Sequence, residues 1–168
     1  MVILNAGISV GHSSDVTSFK DFKNLYDVNV LSTHAILEIL LPKFVEQQSG
    51  KIVFISSLAS LISMPTSLVY SSSKRAINAY AEGLRYKYNK DGIKVINIQP
   101  GFIKSEMTGK NKFNMPFLLN TKEGVQRIIR AIEKEKRIYA FPLRFYLIIQ
   151  TLNLLPKFLR EKIVSSVN

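Results

Sequence analysis

The sequence predicts an α/β fold, a doubly wound parallel sheet with helices on both faces. Three observations predict it. Short β-branched runs alternate with long segments of helical period, giving strand, helix, strand, helix, strand, helix, strand. The run 51–56 is short, β-branched and nearly apolar, as in strands buried on both sides. Glycine- and proline-bearing turns close most of the runs.

Taken in order, Val2-Ile3-Leu4 is a short strand ending in Asn5-Ala6-Gly7, and it starts directly at Met1. A polar stretch with Gly11, His12, Ser13, Ser14 and Asp15 leads into a helix over 19–48, where Phe19, Phe22, Leu25 and Tyr26, then Ile36, Ile39 and Leu40, recur at helical spacing. Pro42 is expected to kink this helix, and Ser49-Gly50 to stop it. The run 51–56 is the next strand. A loop containing Pro65 precedes a second long helix, 67–89, which Asp91-Gly92 ends. Residues 93–98 form a third strand closed by Pro100-Gly101. An irregular segment, 102–120, is followed by a helix from a Thr121 cap to about Lys136, then a strand over 138–141. The tail, 143–164, reads as an amphipathic helix interrupted at Asn153 and Pro156. Residues 1–142 thus form the sheet domain and 143–168 a helical tail.

Composition narrows the function classes. With 168 residues the chain fits one domain, and 46% hydrophobic with 21% charged residues is ordinary for a globular protein. There is no cysteine, which excludes disulfides and thiolate metal sites and fits a reducing cytoplasm. Two histidines, His12 and His34, cannot build a histidine-rich metal site and receive no role. The net charge of +11 lies wholly in the second half, since residues 1–73 carry four Lys/Arg against five Asp/Glu. The basic residues are dispersed and no nucleic-acid motif accompanies them, so nucleic acid is not an expected partner. No basic leader precedes the first strand. No run of 18 uncharged apolar residues occurs, so a spanning helix is not expected.

Tyr70 and Lys74 stand four apart on the second long helix and share a face. Ser57 follows a strand, where α/β proteins place reactive groups. At roughly 6 Å and an effective dielectric near 20, an ammonium favours phenolate by about 2–3 kcal/mol. That would draw a tyrosine from about 10 towards 8, a range useful for proton transfer. Ser56 competes with Ser57 for the hydroxyl role.

The ordered motifs Asn5-Ala6-Gly7, Asn29 in Asp27-Val28-Asn29-Val30, Ile55-Ser56-Ser57, Tyr70-Ser71-Ser72-Ser73-Lys74 and Pro100-Gly101-Phe102-Ile103 with Ser105 resemble the classical short-chain dehydrogenase/reductase family. The resemblance covers about residues 1–140 and includes the thirteen-residue spacing from Ser57 to Tyr70, which favours Ser57 over Ser56. It implies a partial Rossmann-like sheet and hydride transfer between NAD or NADP and an alcohol/carbonyl pair. Tyr70 would be the acid and base, and Ser57 would bind the substrate oxygen. Lys74 would hold the nicotinamide ribose and lower the tyrosine's pKa, and Asn29, in a helix kink, would hold a water linking Lys74 to solvent. Asn5, Ala6 and Gly7 would line the adenosine side, Pro100, Gly101 and Ile103 the nicotinamide, and Ser105 would stand near its carboxamide. No metal is implied. Extended-branch sugar-nucleotide epimerases share the Tyr/Lys spacing, but Asn29 and the serine pair favour the classical branch.

The family's glycine-rich phosphate loop, Thr-Gly-x-x-x-Gly-x-Gly, has no counterpart in these 168 residues. The chain is therefore expected to be a fragment of an enzyme, the alternative being a truncated, non-catalytic interaction protein. The NAD/NADP choice, which the missing region would make, is not readable. Met107, Phe113, Met115, Phe117 and Leu118 either line an apolar substrate space or form local core. The two long helices resemble those that pack between subunits in the family, so a homo-oligomer, dimer or tetramer, is expected. The basic, apolar tail is a candidate for peripheral membrane contact, for covering a substrate cleft, or for plain docking.

Overall fold

β-Branched and apolar runs pair edge to edge when both faces can be covered, and the described residues do this three times. The structure is a computed structural model that describes residues 1–10, 16–111 and 113–166. The stretch Gly11–Asp15, including His12, lies outside the described residues. Strands β1 (Val2–Leu4), β2 (Gly50–Ile55), β3 (Ile93–Pro100) and β4 (Ile138–Phe141) form one parallel sheet in the order β1-β2-β3-β4. Val2 stands opposite Ile52, Ile52 opposite Val95, and Asn97 opposite Ile138. In β3 Lys94 is exposed and every other residue is buried.

Alternate residues of the strands feed two different cores. Ile52 and Phe54 of β2, with Ile93 and Val95 of β3, pack against Leu37 and Phe44 of helix α2 (Ser32–Glu46) and Ile77, Ala81 and Leu84 of α3 (Leu68–Tyr88). Val53, Ile96 and Ile98 face the other way, onto Ala131 and Ile132 of α5 (Thr121–Glu133). Both faces are covered, so the sheet is doubly wound as the sequence predicts. Sheet order equals chain order while the covering helix changes face after β3. The β3-α5-β4 crossover therefore has the opposite hand from the two before it, against a strong general preference for one hand.

The first long helix is not continuous α. It comprises α1 (Phe19–Tyr26), a π turn over Asp27–Leu31, and α2, and it runs on through Pro42, so the irregularity falls at Asn29, where the resemblance implied a kink, rather than at the proline. Phe19–Glu46 is long and apolar enough by composition to cross a membrane. Leu25, Leu37 and Phe44 are nevertheless buried in the protein, as in a helix docked on a sheet. The α5 cap is Asn120 rather than Thr121, with its side chain accepting from the Glu123 amide, and the helix ends at Glu133. Short α4 (Glu106–Gly109) sits within the irregular segment. The tail folds as α6 (Leu143–Leu154) and α7 (Lys157–Ser165), broken at Leu155-Pro156 as expected.

Two glycines are predicted to respond oppositely to alanine. Gly92 has φ +66°, and a Cβ there would stand 2.1 Å from the Gln48 carbonyl oxygen. Gly92→Ala should lower stability by about 2 kcal/mol or more in urea unfolding. Gly83, inside α3, would gain a Cβ meeting nothing within 4 Å. Gly83→Ala should raise stability by about 0.5–1 kcal/mol.

Candidate active site

The π turn adds one residue to a helical turn, and the residue it throws inward is Asn29, 1% exposed. Its Oδ1 accepts from the Ile8 amide at 2.8 Å, while its Nδ2 donates to the Ile8 carbonyl at 3.0 Å and to Ser73 Oγ at 3.0 Å. Ser73 Oγ donates in turn to the Tyr70 carbonyl at 2.8 Å. Asn29 therefore clamps the chain after β1 to the first turns of α3. Both its N–H groups are used on protein partners, so Oδ1 is where it has capacity for a water.

On α3, Tyr70 and Lys74 share a face one turn apart. The Lys74 side chain is buried (4% exposed) and donates to the Ile55 carbonyl at the end of β2, 3.0 Å away. Its ammonium stands 5.8 Å from the centre of the Tyr70 ring. Ser57 opens a short 3-10 turn, its Oγ accepting from the Ala59 amide at 3.1 Å and lying 3.5 Å from the Pro100 carbonyl oxygen. The Ser57 hydroxyl acts on the Tyr70 phenol, favouring its ionised form. Ser56 points elsewhere, donating to the Lys74 carbonyl at 3.2 Å. The structure thus separates the two serines, Ser56 turned onto α3 and Ser57 onto the turn after β2.

The protonation energetics differ from the expectation. Tyr70 is half-buried as a residue, yet its phenol is desolvated. Burial pushes its pKa above the usual tyrosine range, and the Ser57 hydroxyl works in the opposite direction with a smaller effect. Lys74, expected to draw the phenol towards 8, is itself pulled down to about 8 by burial. Desolvation sets the direction of both shifts.

The other predicted positions divide. Gly7 belongs to the cluster, since a Cβ there would stand 3.2 Å from Lys74 Nζ and 3.5 Å from Asn29 Oδ1. Asn5 and Ala6 are exposed just past β1. Pro100 ends β3 beside Ser57, and Gly101 has no room for a side chain between Pro142, Phe145 and Leu58. Ile103 bridges to Leu119 and packs under α5, where a Cβ on Gly124 would come within 2.7 Å of it. Ser105 is exposed and caps α4 in a reciprocal box with Thr108. Ile103 and Ser105 thus carry structural tasks. In the loop, Phe102 stacks on Phe145 of α6 at 5.9 Å and meets Phe113 edge-on at 5.8 Å, so these aromatics pack on one another.

One set of polar residues was not anticipated. Ser60 Oγ donates to the Ser57 carbonyl, Asn78 Nδ2 donates to Ser60 Oγ, and Asn97 Nδ2 of β3 donates to Asn78 Oδ1 at 2.9 Å. Arg75 Nε donates to the Ser60 carbonyl at 3.0 Å. This chain of bonds ties the Ser57 turn to α3 and to the centre of the sheet. The available signal was spacing, because Asn78 continues the Tyr70, Lys74 series by another four residues.

Comparison with known proteins gives the site a context. Residues 1–115 match the family model described as short chain dehydrogenase. An uncharacterized oxidoreductase of Myxococcus xanthus is 33% identical over 142 residues, 84% of this chain and 56% of that protein. Human dehydrogenase/reductase SDR family member 7 is 33% identical over 108 residues, 64% of this chain and 32% of that protein. The chain thus spans little more than half the length of such relatives at most. A short chain dehydrogenase from Burkholderia cenocepacia in complex with NADP superposes with a TM-score of 0.82 at 20% identity, over 96% of this chain and 69% of that one. A Sphingobium yanoikuyae short-chain dehydrogenase in complex with NADPH gives 0.78 at 20% identity, over 99% and 65%. At these identities the structures show a shared fold.

The buried ammonium yields a stability prediction. Below pH 8 Lys74 is charged in both folded and unfolded chains, and holding that charge inside costs about 3 kcal/mol. Between pH 8 and 10.5 the folded chain has released a proton that the unfolded chain keeps, so stability rises with pH across that window. Lys74→Met should stabilise the fold at pH 7 by about 1–3 kcal/mol, allowing for the lost Ile55 bond. The gain should vanish towards pH 10.5 in urea titrations, and a gain that does not change with pH would contradict the assignment.

Proposed function

The chain belongs to the short chain dehydrogenase family, and from that we propose that it acts in hydride transfer between a nicotinamide cofactor, NAD or NADP, and an alcohol/carbonyl substrate of apolar character. The observation that carries the reading is the buried Lys74 ammonium at the end of β2, 3.0 Å from the Ile55 carbonyl oxygen and 5.8 Å from the centre of the Tyr70 ring.

The residues present suit the nicotinamide-ribose half of such a cofactor. Among the described residues, the buried Lys74 ammonium has one hydrogen-bond acceptor, the Ile55 carbonyl, so it retains donors for vicinal hydroxyls. Gly7 leaves space beside that ammonium which any side chain would occupy. Asn5, Ala6, Pro100, Gly101, Ile103 and Ser105 are assigned to the cofactor by family likeness, Ile103 and Ser105 through backbone placement. A bound nicotinamide would supply the hydride.

The rest of the chemistry falls to side chains. In reduction, Ser57 and Tyr70 both donate to the substrate carbonyl oxygen, which holds the developing negative charge. Tyr70 then passes its proton to that oxygen and becomes phenolate. Desolvation keeps the resting phenol protonated, which suits a proton donor. Lys74, cationic at neutral pH, steadies the phenolate electrostatically until solvent returns a proton. Oxidation runs the same transfers in reverse, with the phenolate as base. The alternative reading is a non-catalytic interaction protein.

Reduced nicotinamide mononucleotide, which lacks the adenosine and pyrophosphate, separates the two readings by its fluorescence. Binding to the chain, lost in Lys74→Met and kept in Tyr70→Phe, is expected. Turnover of an apolar aldehyde with NADH or NADPH should fall about 10²–10⁴-fold in Tyr70→Phe. Failure of the chain to bind either the mononucleotide or the dinucleotides would favour the alternative.

We also propose that the chain pairs with copies of itself through α2 and α3, and works in the cytoplasm. The outer side of α2 exposes Ile36 and Ile39, beside an open groove lined by His34, Leu41, Tyr80 and Tyr88. Ile39→Glu should shift the chain to a smaller species in size-exclusion chromatography without changing its circular dichroism.

A further inference from the structure

Helix α6 is apolar on both sides. Phe145, Tyr146, Ile149 and Leu152 turn inward onto Leu58 and Ile62. The opposite stripe, Leu143, Leu147, Ile148 and Leu154, faces solvent, with Leu143 62% and Leu154 86% exposed. A helix lying on a protein surface ordinarily carries charge there. α7 continues the pattern with Phe158 at 69% exposure and Ile163 at 40%. The charges bordering this strip are cationic, Arg144, Lys157, Arg160 and Lys162, and Glu161 is the single acid in residues 143–166.

The two helices present a built surface. Asn153 Nδ2 donates to the Leu61 carbonyl at 3.0 Å, holding the end of α6 to the body of the protein. Arg160 Nη1 lies 3.4 Å from Asn153 Oδ1 and ties α7 to α6.

We propose that α6 and α7 dock this protein on an anionic lipid bilayer, with the leucine stripe and Phe158 entering the interface and the four cations meeting headgroups. Aliphatic side chains rimmed by Lys and Arg are the composition of helices that lie in a membrane surface. A second copy of this chain is the poorer occupant, because it brings a net charge of +11 against a strip that is itself basic. The cytoplasmic leaflet is negative and attracts such a strip. The first turn of α6 also touches the candidate site, through Phe145 against Gly101 and Phe102. Docking would therefore bring the site beside the bilayer and favour alcohols or carbonyls dissolved in it. That substrate consequence rests on the oxidoreductase reading, whereas the docking does not.

The chain has no tryptophan, so Leu154→Trp introduces a single reporter. Its emission should shift to the blue with phosphatidylcholine vesicles containing phosphatidylserine, and brominated lipid should quench it. Three net tail charges predict about a hundredfold preference over pure phosphatidylcholine, decreasing with salt. Adding Leu147→Glu or Phe158→Glu should weaken binding at least about tenfold with circular dichroism unchanged. No response to anionic vesicles, or an equal response to both kinds, overturns the proposal. So does a blue shift that grows with protein concentration in the absence of vesicles, which would assign the strip to a second copy. No readout here uses a cofactor or turnover, so a failure of the oxidoreductase reading would leave this test intact.

Discussion

A buried ammonium against one main-chain oxygen sets the geometry of the site. Lys74 donating to the Ile55 carbonyl fixes α3 on the end of β2, and Ser56 donating back to the Lys74 carbonyl holds the same junction from the other side. With that contact made, Tyr70 falls one turn earlier on the helix, where β2 gives way to the Ser57 turn. Asn29 and Gly7 then complete the surround, the first by clamping the chain after β1, the second by having no side chain. Each of these choices costs the folded state something, since a cation is kept dry and a helix is interrupted. Sites that perform proton transfer commonly tolerate such local cost because the surrounding sheet supplies ample stability.

Much of this was legible in the sequence. Apolar β-branched runs mark the four strands because a sheet covered on both faces leaves no place for alternation, and Ile52 through Ile55 confirm it by feeding two cores in turn. The four-residue step from Tyr70 to Lys74 put both on one helix face, and the choice of Ser57 over Ser56 came from the family resemblance. The strands and the shared face are matters of period and spacing, which a sequence records directly.

What escaped depends on quantities that a sequence does not record. The π turn at Asp27–Leu31 has no composition of its own, so the kink at Asn29 was implied by the resemblance alone, while the residues themselves pointed to Pro42. The sign of the Tyr70 shift depends on how completely water is removed, which the spacing of a charge pair does not contain. Ile103 and Ser105 matched positions in a motif, yet their side chains are occupied by α5 packing and by an α4 cap. Asn78 and Ser60 lie in different elements, and their bond to the Ser57 turn exists only once the sheet and helix have met.

The reversed hand of the last crossover also determines where the tail can go. With α5 sent to the far face, the near face beside β4 is vacant ground, and Ala140 turns towards it. The tail settles there, so that Phe145 becomes a wall of the space above Gly101. Had the chain kept its earlier sense of winding, α5 would claim that berth and the last 25 or so residues would have no reason to lie near the reacting groups. One topological exception thus makes a terminal appendage into a neighbour of the chemistry, and leaves its sequence free to vary the enclosure without disturbing the sheet.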